Sequence, residues 1–499
     1  MLNWPRKEGL PLSFLRQLLF FLILGFFVGV VVSINQFVFG WLIYLFAGWG
    51  VVGLFLAWRY QVSRFWLLIF SVFCLGLVLG QWRAMPRENW GANICSDLGH
   101  NFSGLVVAEP VAGEFNQRLV VRPAGKNFNV LLFAKRDGDW RYGDEINFQG
   151  SLQEPKNFQT DTGQEFAYKN YLLKDNILCL GRGGQVTWLS GGHGSNTKRV
   201  LFTVKKEFLN TINRYLPAPQ SSLLSGILLG VQSSLPQTVS DDYRRAGLTH
   251  ILVLSGQNIS IIASALMIIF GWAGPLISFV IVVTGLVLFT LMAGAGASVV
   301  RAAVMGLLVV LARAVGRPYA GGLALVTAGA LMVWFNPRLL VFDLGFQLSF
   351  LATLGLFYGT PMMARLLKFL PATWGLREIT SISAGAILFT SPWLAYSFGQ
   401  LSLVALPANI LVVPTVEMTM LFGFLTVVFG WLQIPFAWPL AFISSLLLKW
   451  NLFITSFFAH LPGASIVIKN VSLVFVIFFY LIILGAVLHD KKLSQKKST

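Results

Sequence analysis

The chain of 499 residues is 56% hydrophobic and only 11% charged, and its mean hydropathy is +0.70. Soluble domains carry about twice this charged fraction, so the composition excludes an ordinary soluble protein and a disordered one. Runs of about 20 apolar residues recur along the chain and predict a polytopic α-helical membrane protein of about 12 spans, with an inserted small β domain.

The amino-terminal region, residues 1–82, contains apolar runs at 14–34, 37–57 and 64–82. The first run resembles a signal peptide, but no small-residue cleavage site follows it, so we expect a retained span. Basic residues precede the first run and separate the second from the third. By the positive-inside rule, the amino terminus is then cytoplasmic and the third span ends outside.

Residues 83–199 are polar, rich in turn residues and β-patterned. Short strands are predicted from the segments GLVVAEPV, RLVVRP, NVLLFAKR, DEINFQGSL and QVTWLS. Five short strands in about 100 residues fit a small barrel or sandwich such as an OB-fold. The direction of the third span places this domain outside the cytoplasmic membrane.

Two of the three cysteines, Cys95 and Cys179, lie near the two ends of this outer domain. An oxidising compartment would favour a disulfide between them. The alternative is two unrelated buried thiols.

Residues 200–220 include VLFTVKKEFLNTINRYL, in which apolar residues recur at steps of three and four. Lys205 and Lys206 lie on the opposite, polar face. The pattern predicts an amphipathic helix in the plane of the membrane interface. The alternative is a helix packed on the outer domain.

Residues 221–489 form the predicted transmembrane channel domain, and 490–499 a basic cytoplasmic tail. Nine further spans are predicted at 247–270, 272–291, 297–315, 319–335, 341–359, 379–397, 403–430, 437–459 and 470–488. Nine spans that start outside end inside, which agrees with the basic tail. The segment SSLLSGILLGVQSSLP is too short to span and is a candidate for a re-entrant helix.

The net charge of +17 is unevenly distributed, because residues 83–200 hold 14 basic and 12 acidic residues. The excess therefore belongs to the membrane parts, where it is typical of cytoplasmic loops. A basic excess alone does not indicate nucleic acid here.

The sequence contains no GxxxxGK[ST] phosphate loop and no HExxH motif, and its five histidines are scattered. We therefore expect no enzyme activity, no cofactor and no metal. A nucleophile pair of His250 and Ser255 is conceivable, but five residues along a helix separate them by about 140°.

Polar residues inside the predicted spans are candidates for a hydrated path, since such groups normally face a bundle interior or a watery cavity. The tetrad Ser-Gly-Gln-Asn at 255–258 is predicted to interrupt a helix. The candidate path residues are Arg245, His250, Ser255, Gln257, Asn258, Arg301, Asp343, Gln347 and Asn409.

Each candidate has a structural alternative. Arg301 and Asp343 could neutralise each other, and Asn409 could cap a helix broken at nearby prolines. The Ser-Gly step could only permit a kink. Asp343 and Gln347 are predicted to lie one turn apart on one helix face.

The same segments resemble the ComEC family, the inner-membrane channels of bacterial DNA uptake in natural transformation. RRAGLTHILVLSGQNISII resembles the family's Gly-Leu-x-His-Leu…Ser-Gly-x-His signature, and ASVVRAAVM its Ser-x-x-Arg-Ala run. FDLGFQLSFLATLG resembles its Asp-x-x-Phe-Gln-Leu-Ser-Phe-x-Ala block, and LPANILVVP its Asn-x-x-x-x-Pro site. Asn258 stands where the family often has His.

Many members also carry a C-terminal metallo-β-lactamase-like domain. This sequence stops at Thr499 without the histidine-rich motifs of that domain. We therefore expect the form of the family that lacks it.

The resemblance implies single-stranded DNA as cargo. A polyanion needs a polar, partly cationic lumen through the bilayer, since a bare hydrocarbon path is prohibitive. We expect a separate periplasmic DNA receptor, a nuclease and a cytoplasmic ATPase or helicase motor as partners. The alternatives are a small-solute or lipid-linked transporter and a membrane-embedded hydrolase using His250 or Ser255.

The outer domain is expected either to contact DNA or to act as a lid or docking module. OB-folds often bind single strands through a basic groove. The candidate DNA contacts are Arg118, Arg122, Lys135, Arg136 and Arg141.

Overall fold

The computed structural model describes residues 12–34, 41–59, 64–85, 94–113, 116–135, 138–160, 163–231, 235–254, 256–314 and 320–496. The candidates Ser255 and Arg136, and the side chain of Gln257, lie outside the described part. The chain divides into two units. One comprises 1–91 and 317–347, and the other comprises 92–316 and 348–499.

The first unit opens with three apolar helices, α1 (Leu12–Ile34), α2 (Trp41–Arg59) and α3 (Arg64–Ala84). Helices α1 and α3 pack closely through Gly25 and Gly29 on one side and Gly76 and Gly80 on the other. A Cβ on any of these four residues would overlap a main-chain carbonyl oxygen of the other helix. Two GxxxG spacings therefore set the approach of the two backbones.

The second unit begins with a mixed β domain. Its elements are α4 (Ile94–Asp97), β1 (Asn101–Val106), β2 (Val111–Ala112), β3 (Asn116–Pro123), β4 (Asn129–Lys135), β5 (Glu145–Gln153), β6 (Phe158–Gln159), β7 (Glu165–Phe166), α5 (Tyr168–Leu173) and β8 (Ile177–Ser190). The five segments predicted as strands fall in β1, β3, β4, β5 and β8.

The sheet of this domain has the order β1-β5-β8-β4-β3-β2, and β1 also pairs with β3, which closes the five long strands on themselves. Strands β4 and β8 are parallel, whereas β1–β5, β3–β4 and β5–β8 are antiparallel. Alternate side chains such as Leu119, Leu132 and Phe148 are buried inside the closed sheet.

A disulfide joins Cys95 of α4 to Cys179 of β8, with the two Cα atoms 5.7 Å apart. Both residues are buried. The disulfide therefore ties α4, at the start of the domain, to β8, its last long strand.

Seven helices follow: α6 (Asn196–Tyr215), α7 (Gln220–Leu229), α8 (Gln237–Arg245), α9 (Thr249–Leu252), α10 (Gly256–Phe270), α11 (Pro275–Met292) and α12 (Ala297–Ala314). All ten residues of α7 are buried. Its side chains lie in the main apolar core of the unit together with residues from α8, α9 and later helices.

The remaining elements are α13 (Gly321–Phe335) and α14 (Leu339–Phe342), then α15 (Leu344–Leu354), α16 (Thr360–Leu366), α17 (Leu376–Phe398), β9 (Gln400–Ser402), α18 (Ala405–Trp431), α19 (Ala437–Ala459), β10 (Ser465–Val467) and α20 (Leu473–Lys496). Among the described residues, five helical stretches are long and apolar enough to cross a membrane: Arg16–Ile34, Trp66–Ala84, Ala405–Trp431, Ala437–Ala459 and Leu473–Asp490. Strands β9 and β10 pair with each other.

The predicted span at 341–359 overlaps a helix that starts one residue after Asp343 and continues through residue 366. Helix α14 ends before Asp343, which is extended, and α15 starts at the next residue. The Oδ1 atom of Asp343 accepts the main-chain N–H of Phe346 at 2.7 Å, so the side chain caps the new helix. A π-helical turn at Gly355–Gly359 then leads into α16.

Helix α18 runs without interruption through Pro414. Asn409 therefore lies within a continuous helix and does not cap a broken one.

Helix α6 lies between the β domain and the apolar helices. The ring of Phe208 packs 5.9 Å from that of Trp431 at the end of α18. On its other side, Lys205 donates to Glu109 of the β domain at 2.6 Å. Lys205 lies on the polar face of α6 as predicted, and its side chain is only 6% exposed because it faces the docked β domain.

Candidate functional site

The chain breaks between α9 and α10, at the start of the Ser-Gly-Gln-Asn tetrad. Val253 is extended, and α10 begins at Gly256. The predicted interruption of the helix is therefore confirmed. The first N–H groups of a helix lack intrahelical acceptors, and its amino end carries a partial positive charge.

The turn that leads into this break requires a glycine. Gly247 adopts φ +73°, and a Cβ there would lie 2.6 Å from the Cβ of Ala405 and 2.9 Å from that of Ser402. The turn between α8 and α9 is therefore pressed against the start of α18.

Arg301, near the amino end of α12, extends to the amino end of α10. Its Nε donates to Ser349 Oγ at 2.6 Å, and its Nη1 donates to Thr353 Oγ1 at 2.6 Å. A Cβ placed on Gly256 would lie 3.3 Å from Nη2 of the same guanidinium. Helices α10, α12 and α15 therefore meet at one side chain, which we call the Arg301 node (Gly256, Arg301, Ser349 and Thr353).

The charge of the Arg301 node favours an anion. A guanidinium is always protonated in proteins, and the amino end of α10 adds a partial positive charge beside it. Helix amino ends with exposed N–H groups are common sites for phosphate groups. The charge of the node therefore suits a phosphate-like group.

A second contact holds the break in place. Ser298 Oγ, in the first turn of α12, donates to the carbonyl oxygen of Leu254 at 2.9 Å. The amino end of α12 is thereby tied to the residues that precede α10.

The candidate amides Asn258 and Asn409 are both 4% exposed. Asn258 Nδ2 donates to the carbonyl oxygen of Ile227 at 2.7 Å and so joins α10 to α7. Asn409 Nδ2 donates at 2.7 Å to the carbonyl oxygen of Ala405 in its own helix. Each amide therefore donates a hydrogen bond to a main-chain carbonyl oxygen, one between α10 and α7 and the other within α18.

Asp343 caps the start of α15, and Gln347 lies one turn along that helix, with its main-chain N–H donating to the carbonyl oxygen of Asp343 at 3.1 Å. Gln347 Nε2 donates to the carbonyl oxygens of Leu340 and Val341 at 3.0 and 2.9 Å. It satisfies carbonyls that the end of α14 leaves without helical partners.

Arg245 and His250 are exposed, at the end of α8 and in α9. They flank fully buried residues such as Leu248. The structure thus brings Arg301 to the tetrad, whereas Arg245 and His250 stay at the surface of their unit.

Sequence reasoning missed Thr353 as a partner of Arg301. Ser349 and Thr353 are four residues apart and therefore share one face of α15. Two hydroxyls at helical spacing in an apolar run were the available signal.

The outer-domain candidates belong to two different places. Arg118 and Arg122 are exposed on β3, and Lys135 is exposed at the end of β4. Arg141 instead pairs with Asp139 at 2.5 Å, and Asp139 also accepts Lys206 of α6 at 3.2 Å. The hydrogen bond from Arg141 lowers the pKa of Asp139, followed by that from Lys206. Arg141 therefore takes part in docking α6.

Fold and site together define a helical protein with several helices fit to span a membrane, a cationic node in its bundle and an attached mixed β domain. The family model described as Competence protein matches residues 227–492. The chain belongs to this family, which is the ComEC family.

ComE operon protein 3 of Bacillus subtilis (strain 168) is 27% identical over 285 residues, which cover 56% of this chain and 35% of that protein. The chain thus matches about a third of the length of this relative. No solved structure matches the chain.

Proposed function

We propose that this protein is a membrane channel that passes single-stranded DNA across the cytoplasmic membrane during natural transformation. The observation that carries the proposal is the Arg301 node, which places a fixed cation beside a helix amino end. A single strand carries one phosphate per nucleotide, and crossing hydrocarbon without such groups is prohibitive. Membership of the competence family supports the same role.

We propose about 12 spans, with both termini in the cytoplasm and residues 83–199 outside. Arg365, after the π-helical turn, pairs with Asp490 near the end of α20. The carboxyl end of α16 and the carboxyl-terminal tail therefore lie at the same end of the bundle. Helix α17 is 23 residues long and places β9 at the opposite end, roughly 33 Å away at 1.5 Å per residue. The β9–β10 pair then lies on the outer side.

We propose that the outer domain is an OB-fold. Its five long strands close in the order β1-β5-β8-β4-β3-β1, with one parallel pair between β4 and β8. A five-stranded Greek-key barrel of this kind is the OB architecture, which binds oligonucleotides on its second and third strands and nearby loops.

The energy for transport comes from partners in this proposal. Moving one elementary charge through 100 mV changes the free energy by ~2.3 kcal/mol. An inside-negative potential therefore opposes an entering anion. We propose that the protein is a conduit without enzyme activity or cofactor. A periplasmic receptor, a nuclease and a cytoplasmic ATPase or helicase are proposed to deliver, trim and pull the strand.

The test replaces Arg301 by Ala and by Lys. One charge-assisted hydrogen bond is worth ~1.5–3 kcal/mol, so Arg301→Ala is expected to lower transformation roughly ten- to a hundredfold. Arg301→Lys keeps the charge and is expected to recover part of the loss. Lys449→Ala is the matched control, because Lys449 is a cation in the apolar helix α19 whose side chain is exposed.

Transformation frequency and entry of labelled DNA are measured together with the amount of protein in the membrane. Loss of transformation while labelled DNA still reaches the periplasm supports a conduit. Normal uptake in Arg301→Ala removes the Arg301 node from the DNA path. Normal transformation in a deletion strain with an altered metabolite or lipid profile favours a transporter of small or lipid-linked solutes.

A further inference from the structure

Two buried hydroxyl groups lie between α8 and α19. Tyr243 of α8 is 0% exposed and Thr455 of α19 is 1% exposed. Among the residues that the structure describes, neither hydroxyl oxygen has a hydrogen-bond partner. Tyr243 lies in the main apolar core of the unit, together with Leu448 and Ile454 of α19. A polar group buried in this way is costly unless another group pairs with it. We call Tyr243 and Thr455 the hydroxyl pair.

The Thr455 hydroxyl departs from the pattern of other buried hydroxyls in these helices. Thr419 and Thr426 of α18 and Ser444 of α19 each donate to the carbonyl oxygen four residues earlier, at 2.7–2.9 Å. Such a bond satisfies a hydroxyl within its own helix. In the described part of the chain, Thr455 makes no bond of this kind. Its hydroxyl is therefore free to serve the contact with α8.

The two hydroxyls are neighbours that do not bond directly. Burial raises the pKa of the Tyr243 phenol, and the adjacent Thr455 hydroxyl opposes this rise. A hydrogen bond between two hydroxyls needs an oxygen–oxygen distance of about 2.5–3.0 Å and a favourable angle. The hydroxyl pair does not meet these conditions. Each hydroxyl is a donor and an acceptor, so both remain available to a third molecule.

The nearby amide of Asn451 is already engaged elsewhere. Asn451 lies one turn before Thr455 on the same face of α19. Its Oδ1 accepts Thr415 Oγ1 at 2.5 Å, and its Nδ2 donates to Thr419 Oγ1 at 3.3 Å. Both partners belong to α18. The amide therefore joins α18 to α19 and leaves the hydroxyl pair to another partner.

The hydroxyl pair lies close to a polar rim that solvent reaches. The side chain of His460, five residues after Thr455, is 65% exposed, and its Nδ1 lies 3.9 Å from Oδ1 of Asp242. Asp242 directly precedes Tyr243 in α8. Five residues of helix span only about 7.5 Å. Water therefore has a short route from this rim to the hydroxyl pair.

We propose that Tyr243 Oη and Thr455 Oγ1 bind an ordered water molecule between α8 and α19. A buried water makes about two to four hydrogen bonds to polar groups that are otherwise unsatisfied. Water suits the hydroxyl pair better than a cation does, because a cation accepts no hydrogen bond and leaves both O–H donors unpaired. The site shares no residue with the Arg301 node, and its existence does not depend on the proposed passage of DNA.

The bound water joins α19 to the segment that leads to the tetrad. The carbonyl oxygen of Tyr243 accepts the main-chain N–H of Leu248 at 2.8 Å, across the turn at Gly247. The chain then passes through α9 to the break before Gly256. The water thus holds the end of α8 beside the turn that positions this break.

Hydroxyl-radical footprinting of the full chain in detergent detects the water. X-rays generate the radicals from water itself, so a buried side chain is modified where an ordered water touches it. Tyr243 is expected to be modified in spite of its burial. Met420 is the matched control, because it is 4% exposed in the same apolar core and its thioether is readily oxidised. Any other pattern, including equal modification of both residues or of neither, overturns the proposal.

Stability variants separate a bound water from an unsatisfied pair. Tyr243→Phe and Thr455→Val each remove one hydroxyl. Each is expected to lower the midpoint of thermal aggregation by about 2–4 °C, and the double variant by about as much as either one, because both lose the same water. Thr426→Val is the matched control, since Thr426 is also 0% exposed and its effect is expected to add to that of Tyr243→Phe. An unchanged or higher midpoint in Tyr243→Phe overturns the proposal.

A cation at the same place is tested by exchanging NaCl for choline chloride at equal ionic strength. The midpoint of the native chain is expected to be the same in both salts. A midpoint that is higher in NaCl for the native chain, and not for Thr455→Val, assigns the site to Na⁺ and overturns the assignment of water.

Discussion

Breaking the ion pair between Lys205 and Glu109 has unequal consequences for its two partners. The side chain of Lys205 is 6% exposed and that of Glu109 is 32% exposed, with 2.6 Å between Nζ and Oε2. Glu109→Gln leaves an ammonium group buried without a carboxylate. Lys205→Met leaves a carboxylate that water already reaches and fills the buried position with an apolar chain.

The magnitudes follow from this difference in exposure. Removing one partner of a fully buried pair costs ~3–5 kcal/mol, and the partial exposure of Glu109 reduces this to about 2–3 kcal/mol for Glu109→Gln. We expect about 1 kcal/mol or less for Lys205→Met, because a carboxylate in contact with water needs no partner. The double variant is expected to lie close to Lys205→Met.

Hydrogen exchange measures the opening of this contact. The amides of residues 107–109 and 111–112 are expected to exchange about 30- to 150-fold faster in Glu109→Gln, since ~1.4 kcal/mol is tenfold. Lys206→Met is the matched control, because Lys206 and its partner Asp139 are 60% and 62% exposed. Equal exchange in Glu109→Gln and Lys205→Met, or faster exchange in Lys206→Met, would refute the reasoning.

Two further predictions concern the first unit and the disulfide. Gly29→Leu is expected to lower the midpoint of thermal aggregation in detergent, since overpacking costs ~1–3 kcal/mol and its Cβ meets α3. Gly48→Leu in α2, where a Cβ meets nothing within 4 Å, is the control; an equal shift there contradicts the packing account. Thiol labelling of the denatured, unreduced protein should find one free cysteine, Cys74, and two in Cys95→Ser. Three labelled thiols in the native sequence would rule out the disulfide. Because the bridge spans 84 residues, its loss is expected to destabilise the β domain by about 4–5 kcal/mol, seen as faster amide exchange in β1 and β8.

The long apolar helices were readable from the sequence because hydrophobic length is a local property. The predicted span 437–459 coincides with α19, and 403–430 nearly coincides with α18. The break before Gly256 was also readable, since the polar tetrad interrupts the apolar run, and its last three residues begin the new helix α10. Five segments of alternating pattern marked the long strands.

Tertiary structure alone decided how these elements meet. The hydropathy of 341–359 reads as one span, yet Asp343 prefers to cap a new helix, because its carboxylate satisfies an N–H that would otherwise lack an acceptor. The sequence places Lys205 on a polar helix face, but only the folded chain brings Glu109 against it.

The same holds for the Arg301 node. A sequence shows an arginine in an apolar helix, but its hydroxyl partners lie 48 and 52 residues away, and only packing brings them together. Local composition therefore set the kinds of element, and long-range contacts between side chains set which residues form a site.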